Sequence, residues 1–142
     1  MDIQGFIPPA AKAIEEGTTF TYQTPYGEIR IVATIAGDEN PGFSTAMMAW
    51  TDKTERAKSA GALDQKKAMR DLAMVFAKHV VLKWETSIKQ GNGKAIEPTN
   101  EAFCDLMTHQ ARELRFVFNQ FRDDVADLAN FRDQRDEEAE KN

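Results

Sequence analysis

Reactive side chains are scarce in this sequence. It has one cysteine, Cys104, and two histidines, His79 and His109. A single thiol cannot close an internal disulfide, so a stable fold has to rest on burial alone, and a reducing cytosol suits it as well as any compartment. Cys104 and His109 are separated along the chain with nothing to bring His79 beside them, which supports neither a zinc set nor a Cys–His nucleophile pair. A surplus of basic charge is also missing. Against 23 Asp and Glu stand 18 Lys and Arg, a formal net charge of −5, which leaves no footprint for neutralising phosphates and disfavours a nucleic-acid partner. No run approaches the roughly 18 apolar residues of a membrane span, and the N-terminus lacks a basic segment followed by an apolar core, so no membrane partner is expected. The Gly91–Asn92–Gly93 loop is too short, and has the wrong neighbours, to cradle a phosphate. Asp123, Asp124 and Asp127 are interleaved with Arg122 and Arg132, the mixture of a solvated helix face rather than of an acid–base pair. The expectation is a protein that is not an enzyme, with no catalytic, cofactor-binding or metal-ligating residue and no cofactor.

What the sequence does contain is patterned apolar residues. A chain of 142 residues, 42% hydrophobic and 29% charged, has the length and composition of one globular domain. Residues 1–17 open with Phe6 and Ile7 ahead of Pro8 and Pro9. A run of good helix formers closing on Gly17 follows, which predicts an arm or a short helix. From Thr18 the pattern turns to β. Ile29, Ile31, Ala33 and Ile35 alternate with Glu28, Arg30, Val32 and Thr34, Phe20 and Tyr22 precede them, and Thr24–Pro25–Tyr26–Gly27 has turn chemistry, so a hairpin spans 18–36. A lone hairpin is marginal in water and must lie on helices or pair with a further strand.

Three helical regions follow. Residues 44–60 form a helix that Ser44 could cap, apolar at Met47, Met48 and Trp50 and charged beyond, therefore half docked and half solvated. Met48 and Trp50 read as core or as an adaptable methionine-rich binding face. From 63 to 85, Leu72, Val75, Phe76, His79, Val80 and Trp84 recur at three- and four-residue steps, a continuous stripe with His79 as a structural histidine on it. Pro98 and Thr99 start the last helical region, 99–131, with Thr99 as the cap. Phe103, Leu106 and Met107 form its first buried face. A polar stretch at 108–112 follows, either a bend between two helices or the polar midsection of one long helix, before Leu114, Val117, Phe118, Phe121, Val125, Leu128 and Phe131 resume the period. Residues 132–142, RDQRDEEAEKN, read as a charged tail. The fold class is α+β, mainly α: an N-terminal β-hairpin packed on a bundle of about four helices, within a single domain over 18–131.

Several strings in this order resemble the tail assembly chaperones of long-tailed bacteriophages: the Pro25–Tyr26–Gly27 turn, Ser44 opening a charged helix, VVLKWE at 80–85, GNGKAIEPTNE at 91–101 and ADLANF at 126–131. The resemblance covers roughly 18–131. It implies a non-catalytic protein that binds the tape-measure protein and tail tube subunits during tail morphogenesis. It also implies residence in the host cell cytoplasm, absence from the mature virion, and a homo-oligomer as one open arrangement. Partner-binding positions would come from the large apolar residues Met48, Trp50, Trp84, Phe118, Phe121 and Phe131, each of which could instead be core. Two other readings stay open: an acidic phage protein inhibiting a host defence factor, and a small enzyme in which Cys104 and His109 converge.

Overall fold

A computed structural model describes residues 11–131. The first ten residues and the 132–142 tail lie outside the described residues, and so do the expectations placed on them. A short helix α1 (Ala11–Glu16) precedes the hairpin of β1 (Thr18–Thr24) and β2 (Gly27–Ala33). Then come α2 (Pro41–Ser59), α3 (Gln65–His79), β3 (Val81–Thr86), α4 (Asn100–Met107), α5 (Arg112–Ala126) and a 3-10 turn at Leu128–Phe131. The α+β architecture, mainly helical with the hairpin at the N-terminal side, is the one expected.

The hairpin does not stand alone. β3 pairs antiparallel with β2, giving a three-stranded sheet ordered β1-β2-β3. Phe20, Ile31 and Trp84 share one rung and face inward, while Thr21, Arg30 and Glu85 share the next and face solvent. There Arg30 sits 3.4 Å from the carboxylates of both Glu28 and Glu85. The alternation read from Ile29, Ile31, Ala33 and Ile35 is that of the buried face, all four being at most 2% exposed. β3 carries one residue more than β2 opposite Val32 and Ala33; such a bulge turns the strand locally and leaves its extra residue unpaired.

β3 corrects the expected 63–85 helix. The helix stops at His79 with Val80 as its C-cap, and Val81–Thr86, which include Trp84 of the same spacing, pass into extended backbone. The reason is non-local: β2 needs a second partner for its main-chain groups, and Thr34 N–H donates to the Val80 carbonyl at 2.8 Å to start that pairing. His79 is accordingly not on a buried stripe but exposed at the end of α3, where its carbonyl accepts from Asn40 Nδ2 at 2.7 Å.

Asn40, rather than Ser44, caps α2. Its Oδ1 accepts from Phe43 N–H at 3.2 Å with Pro41 just inside the helix, and its amide also reaches the Ile35 carbonyl at 3.0 Å. One side chain thus ties the end of β2, the end of α3 and the start of α2. Asp64 caps α3 and Thr99 caps α4, each accepting from the third residue beyond. The polar stretch at 108–111 separates two helices: Thr108 Oγ1 donates back to the Cys104 carbonyl at 2.7 Å, and His109 Nδ1 accepts from Ala111 N–H at 3.0 Å.

α5 lies on the inner face of the sheet, and Phe121, fully buried, is the hub of the core. Its ring meets Phe20, Tyr22, Phe76 and Phe103 edge-on at centroid distances of 6.0–6.5 Å, the geometry aromatic quadrupoles prefer. Phe131 packs on Phe20 at 5.8 Å, so the 3-10 turn closes the same core. α2 is anchored mainly at its start, with Phe43 on Phe76 at 5.1 Å and Trp50 Nε1 donating to the Ala68 carbonyl at 2.8 Å.

Candidate functional site

The residues singled out for partner binding divide sharply. Phe118, Phe121 and Phe131 are at most 1% exposed and Trp84 is 7% exposed, so in this fold they are core and present no surface. Trp50 is half-buried against α3, whereas Met48 stands 69% exposed on α2. The apolar stripe of α5 is sealed against the sheet and α3 rather than offered to a second chain. Phe116, on the opposite side of α5, is the large exposed aromatic of that helix, at 63%.

Cys104 and His109 do not make a reactive pair. Cys104 is fully enclosed, and burial pushes its thiol up to about 11, the behaviour of an inert structural cysteine. His109 is exposed at the α4–α5 junction, its Nδ1 occupied by the Ala111 N–H. Among the described residues no group of three or more His, Cys, Asp or Glu is placed to hold a metal ion, and no helix is long and apolar enough to cross a membrane.

A cleft of about 800 Å³ lies between the β3–α4 connection and the α4–α5 corner. Ile88, Ile96, Ala102, Leu106, Ala111 and Leu114 line its apolar part, while Glu97, Glu101, Asp105 and Lys89 stand among the polar lining. Tyr26, 52% exposed at the hairpin turn, closes one end with its hydroxyl 3.5 Å from the Glu113 carboxylate.

Local chemistry holds this cleft open. The connection turns back on itself at Gly91–Gly93: Gln90 N–H donates to the Lys94 carbonyl at 2.8 Å, Lys89 bridges to Ala95, and Gly93 adopts a left-handed φ of +80°. Trp84 Nε1 fixes the far end by donating to the Thr99 carbonyl at 3.2 Å. On the outer side of α4, Arg70 of α3 places its two terminal nitrogens on Asp105 at 2.6 Å and Glu101 at 2.9 Å. The guanidinium thereby holds two of the rim carboxylates and fixes the wall.

Sequence reasoning did not single out this cleft. Leu106 and Leu114 read as ordinary core positions, and the signal that was available is Ile88 and Ile96, isolated branched residues inside an otherwise polar glycine-bearing connection. The fold and cleft define a small α+β protein with an acid-rimmed apolar groove. Residues 38–142 match the family described as YdaY prophage protein. The match covers well over half of the chain, and the protein belongs to that family and is of phage origin. No curated protein and no solved structure matches the chain.

Proposed function

We propose that this prophage protein is a tail assembly chaperone that binds an apolar helical segment of the tape-measure protein in the cleft beside α4 and brings tail tube subunits to it. Its action is then non-catalytic, in the host cytoplasm, and ends before the mature virion. The observation that carries the reading is an open groove with an apolar floor of Ile88, Ile96, Ala102, Leu106 and Leu114 in a chain of phage origin. An amphipathic helix buries one face in such a groove and leaves its polar face wet. Three of the five strings that resemble the tail chaperones fall on the parts that build it: the Tyr26 turn at one end, β3 with Trp84, and the Gly91–Glu101 connection as one wall.

The rim carboxylates Glu97, Glu101 and Asp105 also suit an inhibitor that occupies a basic site on a host factor, which is the second reading. Co-expression separates the two. A tape-measure segment from the same phage should become soluble with the wild-type chain. It should return to the pellet with Ala102→Arg, which fills the groove from an incompletely buried position. No gain in solubility from the wild-type chain, or equal gain from Ala102→Arg, overturns the proposal.

A further inference from the structure

A second depression, of about 620 Å³, lies where the first turns of α3 meet the α4–α5 corner and α5. Met69, 36% exposed, is its accessible apolar side chain, and Met107 and Phe118, each 1% exposed, lie buried beneath it. Lys66, Lys67, Arg70 and Arg115 surround them, and no Asp or Glu lines the site. In a chain where carboxylates outnumber cations 23 to 18, four cations without a lining carboxylate run against the overall charge.

Internal pairing uses only part of this charge. Lys67 bridges Asp71 at 3.0 Å, and Arg70 is committed to Glu101 and Asp105. Lys66 and Arg115 make no ion pair among the described residues, Arg115 donating to the Gln110 carbonyl at 3.1 Å. Two turns further along α5, Arg122 lies over the Phe118 ring at 4.7 Å, and its Nε is buried with no hydrogen-bond partner. The first cleft has the opposite rim, with Glu97, Glu101 and Asp105, and α4 stands between the two.

We propose that the groove between α3 and α5 docks an acidic amphipathic helix of a protein partner, its leucine-type face on Met69 and its carboxylates toward Lys66 and Arg115. Methionines adapt their shape to such faces, and rim cations select partners by charge and steer their approach. A nucleic acid fits poorly. The whole chain carries net charge −5, and Phe118, 1% exposed, presents no ring for a base to stack on. This groove is separate from the tape-measure cleft, so the proposal stands or falls independently of what fills that cleft.

Backbone amide NMR on the full chain tests it. The probe is a synthetic helix-forming peptide of about 16 residues, roughly 24 Å of helix, with leucines on one face and glutamates elsewhere. Its controls are the same peptide with lysine for glutamate, and a single-stranded oligothymidylate. Expected are shifts at Lys66–Arg70, Met107–Gln110 and Arg115–Asn119 with the glutamate peptide. Affinity should fall about tenfold or more in Lys66→Glu/Arg115→Glu, an exposed pair whose exchange leaves the core untouched, and should weaken as salt rises. The proposal is overturned if those amides do not move, if the lysine peptide binds equally well, if the double variant binds unchanged, or if the oligonucleotide rather than the peptide occupies the groove.

Discussion

Trp84 and Thr99 are joined by a hydrogen bond from the indole Nε1 to the main-chain carbonyl at 3.2 Å, and the same threonine caps α4 through its side chain. The bond fastens an inward residue of β3 to the helix that walls the cleft, and the indole ring packs edge-on against Phe103 at 5.9 Å. Trp84→Ala should cost about 3–5 kcal/mol of stability, and Trp84→Phe about 1 kcal/mol for the lost hydrogen bond plus a packing loss smaller than alanine's. Urea unfolding of both variants checks this. An unchanged midpoint for the alanine variant would mean that Trp84 is not core.

Tyr22 donates to Asp124 at 2.7 Å across the β1–α5 contact. Burial, reinforced by that carboxylate, holds its ionisation well above the ordinary tyrosine value of 10.0. A group whose pKa is raised on folding contributes stability that is complete below its unfolded value and is lost above it. Unfolding free energy should therefore decline once pH passes about 10, and Tyr22→Phe should flatten that decline while costing about 1 kcal/mol at neutral pH. An alkaline titration of stability in which the two proteins lose ground in parallel would contradict the assignment.

Cys104 should be unreactive in the native protein. Its thiol is enclosed, with a pKa pushed up to about 11, so a disulfide reagent at about pH 8 meets neither an exposed nor an ionised sulfur. Modification should proceed only at the rate of opening and become rapid in denaturant. Immediate stoichiometric labelling without denaturant would show an accessible thiol, and would revive the pairing with His109 as a reactive site.

Gly17 is where the chain passes from α1 into β1 with φ at +87°, and a Cβ there would lie 2.7 Å from Leu82 Cδ1 and 2.8 Å from Val32 Cγ1. Gly17→Ala combines a left-handed backbone with that close approach, so a loss above about 1 kcal/mol is expected. Gly61 has a similar φ of +67° but open space around it, so Gly61→Ala should cost less than Gly17→Ala. Thermal melts of the two, side by side, isolate the steric part.

The alternation of Ile29, Ile31 and Ala33, the Pro25–Tyr26 turn and the Thr99 cap were all readable from the chain. Each depends on neighbours a few residues away: a period of two, a fixed φ, a side chain bonding an amide three positions on. The sequence by itself therefore determined the element types over most of the chain. Tertiary structure decided what those local rules cannot reach. Whether Val81–Thr86 continues a helix or becomes a strand depends on β2, about fifty residues earlier, having an open edge, because both conformations suit the same spacing of Val80 and Trp84. Which apolar residues remain at the surface was decided the same way. Phe118 and Phe121 fell inside and Met48 and Phe116 outside, and Ile88 and Ile96 came to line a groove, because burial belongs to the packed assembly of elements and not to any one of them.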